Sequence, residues 1–198
     1  GGANAHVAIR QPDPAPADRP GEDADAGNGA AAEAAAQSDR IIRNHMIASM
    51  VAVLIPAPVL DVAAITGVQI KMLHDIAHAY GVPFQREAGR SIVVSLIGSI
   101  GASSVARGTF GSLVKLIPMV GPLAGAVTLP GLAGATTYAI GKIFIQHFEA
   151  GGTFLDFDPK TARARFRQRF KEGEDVARTM KPEAEAAAES TAAPGTGD

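Results

Sequence analysis

The chain has 198 residues, 46% of them hydrophobic and 19% charged, with a formal net charge of -2 and no cysteine. A mean hydropathy of +0.12 is too high for a disordered polymer and too low for a polytopic membrane protein, unless polar ends dilute it. The missing thiols exclude disulfides, thiolate metal sites and cysteine nucleophiles, and the near-neutral charge gives no global case for nucleic acid.

The first residues, Gly1 and Gly2, lack an initiator Met, and no basic region followed by an apolar one appears, so a trimmed piece without a secretory signal is expected. Residues 1–38 carry Pro12, Pro14, Pro16 and Pro20, an acidic patch and the run Ala30 to Ala36, the composition of a disordered linker. Residues 181–198 repeat that style as a disordered tail, which leaves 39–180 as one folded helical unit. Asp39 is the expected N-cap of a first helix through Ile41, Met46, Met50 and Leu54, stopped or kinked by Pro56 and Pro58. Asp61 is read as the cap of the next helix, since an ionised acid beside an apolar run is costly unless it pairs or reaches water.

Leu60 to Tyr80 projects as an amphipathic helix. Val62, Ile65, Gln69, Met72, Ile76 and Tyr80 share one side, and Lys71, His74, Asp75 and His78 the other. Gly81 and then Pro83 end it in the expected order of C-cap and breaker. A third segment, Ser91 to Ala106, carries Gly98, Ala102 and Ala106 at four-residue spacing, a flat seam for a neighbouring helix.

Leu116 to Gly141 contains no charged side chain and is interrupted by Pro118, Gly121, Pro122, Gly125, Pro130, Gly131 and Gly134. Apolar stretches rich in small residues suit close helix approach, in lipid or in a tight helical core. With the third segment this run reads as a Gly/Pro-rich apolar hairpin, Pro130 splitting or bending its second half and Gly121, Gly125, Gly134 and Gly141 serving as packing positions. Neither arm is a clean span of about 20 apolar residues. Trp is absent, Tyr is rare, and Arg107 and Lys115 would lie on the far side against the positive-inside bias, so a shallow or re-entrant hairpin is expected, with Lys115 and Lys142 snorkelling to the interface.

Asp158 followed by Pro159 reads as an N-cap with proline at the first helical position. The helix it opens places Lys160, Arg163, Arg165, Arg167, Arg169 and Lys171 around Phe166 and Phe170. That arrangement suits an interfacial helix on anionic lipid or a partner protein, or a solvated helix with both phenylalanines docked on the core.

Signals for catalysis are weak. His74 and His78 have the spacing of a helical metal pair, but Asp75 stands where the glutamate of His-Glu-x-x-His belongs, and nothing brings His6, His45 or His147 close as a third ligand. A solvated polar stripe is the simpler reading, and no metal, cofactor or catalytic residue is assigned. Gly141-Lys142 lacks both the preceding Gly and the following Ser or Thr of a phosphate loop, with Thr136 and Ile143 in those places, and no Gly-x-Ser-x-Gly elbow occurs.

Five short stretches occur in an order that resembles a known family: Pro56 to Asp61, Ala79 to Gly81, Lys115 to Gly121, Thr137 to Gly141 and Phe148 to Gly152. Across roughly Arg40 to Lys171 they look like the YcjF-type bacterial domain of unknown function (domain of unknown function 697). The resemblance implies an all-α, membrane-associated domain, often attached to or encoded beside a dynamin-like or Era-like GTPase, and supplies no catalytic residues. The expectation is a non-enzymatic helical adaptor at the cytoplasmic face of the bacterial inner membrane, self-associating and meeting anionic lipid and a protein partner such as a GTPase. The alternative is a cytoplasmic soluble scaffold that oligomerises through its small-residue seams.

Overall fold

The structure, a computed structural model, describes residues 22–54, 61–106 and 128–192. Within them the fold is all-α: α1 Glu22–Leu54, α2 Asp61–Ala79, α3 Arg86–Ala106, α4 Leu129–Glu149 and α5 Pro159–Ala192. Helix α1 begins well before Asp39, which therefore sits inside the helix and is not its cap. Alanine has the highest helix propensity, and once Ile42, Met46 and Met50 anchor the C-terminal half in the core, the Ala30 to Ala36 run continues the helix outward.

Helix α2 buries Gln69, Met72, Leu73, Ile76 and Ala77 and exposes Lys71, His74 and His78, as its periodicity predicts. It closes in a Schellman motif: Gly81 takes φ +65, its N–H donates to His78 O at 3.1 Å, and Val82 N–H donates to Ala77 O at 2.8 Å. Helix α3 starts five residues before the expected Ser91.

At α4 the sequence expectation is corrected. Thr128 is an N-cap with extended backbone, its hydroxyl accepting from Gly131 N at 3.3 Å, and Pro130 lies in the first helical turn, where its missing N–H costs nothing. The proline starts this helix and does not bend one. Helix α5 opens on Asp158, whose Oδ1 accepts from Lys160 N at 2.8 Å, and continues through Pro182 to Ala192, past the boundary suggested by composition.

Helix α4 is the centre of the bundle, packing against α5 and α1 most extensively and also against α2 and α3. It buries Ala133 to Thr137, Ala139 to Gly141 and Ile143 to Ile145. The C-terminal part of the uncharged run is thus a core helix and not an arm of a lipid hairpin. Small residues make this possible: a Cβ on Gly141 would fall 2.5 Å from Ile42 Cγ1, and one on Gly134 would fall 3.0 Å from Met50 Sδ and 3.1 Å from Ala177 Cβ. Lys142 does not snorkel to an interface. It pairs with Asp39 of α1 at 2.6 Å.

Inside the core, Ser49 and Thr137 share a hydrogen bond of 2.9 Å that links α1 to α4. An aromatic cluster closes the other end, with Phe144 stacked on Phe157 at 4.7 Å and Phe154 set edge-on to Phe84 and Phe148 at 5.4 Å each.

Candidate functional site

Helix α5 carries six cations between Lys160 and Lys171 and no carboxylate until Glu172. Lys160, Arg163, Arg167 and Lys171 recur at intervals of three and four residues, all exposed, in one row about 16 Å long. Arg165 is exposed on a flank, whereas Arg169 is partly covered and donates to Glu172 at 2.7 Å. Among the described residues, Lys160, Arg163, Arg165, Arg167 and Lys171 form no ion pair, while Arg178 further along is paired with Asp175 at 2.9 Å.

The first turn of α5 contains no acid. The positive end of a helix dipole disfavours cations there, so Lys160 and Arg163 oppose the macrodipole with only the Asp158 cap to offset it. This charge pattern works against its own helix, and at the N-terminus only the Asp158 cap offsets it.

The phenylalanines do not belong to that surface. Phe166 is 0% exposed and lies in the core with Ala162, Gly173, Ala177, Met180 and Ala184, and Phe170 is half-buried against the same core. Of the two readings of this helix, the structure has the one with Phe166 and Phe170 docked on the core, so the apolar stripe faces inward and the exposed cations do not surround it.

The packing residues separate in the same way. Gly134 and Gly141 are consumed inside the fold by Met50, Ala177 and Ile42. Gly98 is exposed, with no atom within 4 Å of where its Cβ would be. Ala102 belongs to α3, its side chain lying outside those described; Gly121 and Gly125, together with Arg107 and Lys115, also lie outside the described residues.

Asp75 gathers the polar groups of α2. It accepts from Lys71 Nζ at 2.7 Å, meets His74 Nδ1 at 3.1 Å and lies 3.6 Å from His45 Nε2 on α1. Burial pushes the Asp75 carboxyl up, but the hydrogen bonds from Lys71 and His74 outweigh it and hold the group below its ordinary value. His74 and His78 border a shallow cleft of about 330 Å³ with Pro83 and Phe84, and the His74 ring meets Phe84 edge-on at 5.1 Å. Among the described residues no group of three or more His, Asp or Glu side chains could hold a metal ion.

The most exposed large apolar side chain among the described residues was not singled out by the sequence. Leu155, 75% exposed, sits in the α4–α5 loop three residues before the Asp158 cap. The loop follows a second Schellman turn at Gly151, φ +80, and is fixed by Thr153, whose N–H donates to Asp156 Oδ1 at 2.6 Å and whose hydroxyl donates to the same oxygen. These hydrogen bonds hold the Asp156 carboxyl below its ordinary value.

No solved structure matches this chain. "Magnetosome membrane protein 22" of Magnetospirillum gryphiswaldense is 37% identical over 151 residues, covering 76% of this chain and 77% of that protein. The model of the family described as Domain of unknown function (DUF697) matches residues 28–172, a span running from the outer half of α1 through the cationic part of α5. The chain belongs to the DUF697 family.

Proposed function

We propose that this protein is a non-enzymatic helical adaptor working at a membrane surface, with the first half of α5 laid on anionic lipid and the remaining helical surface left for a protein partner. The observation that carries this reading is the unpaired row Lys160, Arg163, Arg167 and Lys171, set against the α5 dipole on an exposed face. Its relative among magnetosome membrane proteins supports the same compartment. No described helix is long and apolar enough to cross a membrane, and the contact proposed is one of surface charge with lipid headgroups. The cytoplasmic face of the inner membrane is the side where such a row meets anionic lipid, and a GTPase is the first partner class to test.

Each cation near an anionic surface contributes about 1 kcal/mol, so the four together supply about 4 kcal/mol at low salt, falling as the Debye length shortens. The test is co-sedimentation of the full chain with vesicles of neutral lipid alone or with added anionic lipid. Binding to the anionic vesicles, weakened by salt and abolished by Arg163→Glu with Arg167→Glu and Lys171→Glu, is the expected result. Equal binding of wild type and the triple variant would refute the role of α5.

A further inference from the structure

The loop between α4 and α5 shows a side chain held in water by its neighbours. Phe154 and Phe157 are both in the aromatic core, 2% and 9% exposed, packed on Phe144 at 5.3 and 4.7 Å. Between them the backbone is fixed from several directions. His147 Nε2 donates to Thr153 O at 2.8 Å, Thr153 holds Asp156, and Leu155 N–H donates to Thr153 Oγ1 at 3.3 Å. A Cβ on Gly152 would fall 2.4 Å from the His147 ring and would push that ring off its hydrogen bond to Thr153. With Phe154 and Phe157 turned inward and the turn locked by Asp156, Leu155 is turned outward five residues ahead of Lys160 in the chain.

We propose that Leu155 is the apolar anchor of the α5 surface, entering the headgroup and acyl boundary of an anionic bilayer when Lys160, Arg163, Arg167 and Lys171 meet the phosphates. This rests on the membrane-surface reading above and adds the residue that penetrates. Charge complementarity selects the bilayer as occupant: residues 155–171 hold six cations against the two carboxylates Asp156 and Asp158. Both carboxylates are engaged, Asp156 by Thr153 and Asp158 by the Lys160 N–H. Cations alone give a contact that salt screens, whereas a buried leucine adds one that salt leaves intact, the two-signal arrangement of stable peripheral binding.

The chain has no Trp, so Leu155→Trp introduces a single tryptophan at the anchor without disturbing a buried position. Vesicles containing anionic lipid should shift its emission to the blue, and lipids brominated near the headgroup end of the acyl chain should quench it. In parallel, Leu155→Ser in the full chain should lower vesicle affinity roughly tenfold at about 0.3 M salt, with unchanged far-ultraviolet circular dichroism. If wild type sediments with anionic vesicles while the tryptophan emission stays fixed or Leu155→Ser binds as tightly, the anchor is wrong and the electrostatic reading stands. Failure of wild type to bind anionic vesicles at all would overturn both.

Discussion

Helices α4 and α5 approach backbone to backbone at Gly173, and this contact sets a sharp prediction. A Cβ on Gly173 would lie 2.8 Å from the Ala135 carbonyl oxygen, 2.9 Å from Ala135 Cα and 3.1 Å from Tyr138 Cβ. Ordinary contact begins at 3.4 Å, so the methyl is about 0.6 Å too close, and its nearest neighbours are backbone atoms of a fully formed helix that cannot rotate aside. Alanine gains about 1 kcal/mol of helix propensity over glycine, and overpacking a tight core costs about 1–3 kcal/mol. Gly173→Ala should therefore lose about 1 kcal/mol net. Gly98→Ala is the control: the same chemistry in an exposed helical position with open space around it should gain up to about 1 kcal/mol. Urea denaturation followed by circular dichroism at 222 nm should separate the two variants by about 2 kcal/mol, seen as midpoints moving in opposite directions. Equal shifts, or a more stable Gly173→Ala, would refute the close α4–α5 packing.

Two further outcomes follow from the core. Gln69 is 0% exposed and neither atom of its side-chain amide has a hydrogen-bond partner among the described residues, so Gln69→Met should raise stability by about 1–3 kcal/mol in the same denaturation assay; destabilisation would show that the amide is paired. Tyr80, partly buried and donating to Glu149 at 3.1 Å, has its phenol pushed up to about 12 by burial first and then by the Glu149 carboxylate. In a Tyr138→Phe background it is the only tyrosine, and its absorbance near 295 nm should titrate around pH 12. Because the folded value exceeds the unfolded one near 10, its contribution to stability is complete below about pH 10 and is lost as the pH rises toward 12. A titration centred near 10 in the folded protein would contradict the contact.

The fold was legible wherever periodicity and caps agreed. Helix α2 shows its buried side at intervals of three and four residues and ends at Gly81, while Asp158-Pro159 marks the start of α5 unambiguously. Pro130 was misread because a proline bends a helix interior and initiates a helix equally well, and only the Thr128 cap two residues earlier distinguishes the cases. The alanine-rich stretch before Asp39 reads as linker by composition, yet its propensity is helical and needs only an anchored end to propagate.

In the candidate site the cations were visible and the orientation of the phenylalanines was not. Ala162, Phe166, Gly173 and Ala177 share a face at intervals of four, seven and four residues, a small-residue stripe that identifies Phe166 as a core residue once it is recognised. Leu155 gave no such signal. Its exposure follows from Phe154 and Phe157 both entering the aromatic cluster and from the Thr153–Asp156 turn, tertiary facts absent from any local pattern.

The most direct test of the membrane-surface account is fractionation of cells producing the full chain, wild type and the Arg163→Glu, Arg167→Glu, Lys171→Glu variant in parallel. Wild type is predicted in the membrane pellet and the variant, equally folded, in the soluble fraction. A variant that remains with the membrane as completely as wild type, or a wild type recovered entirely in the soluble fraction, would contradict the account.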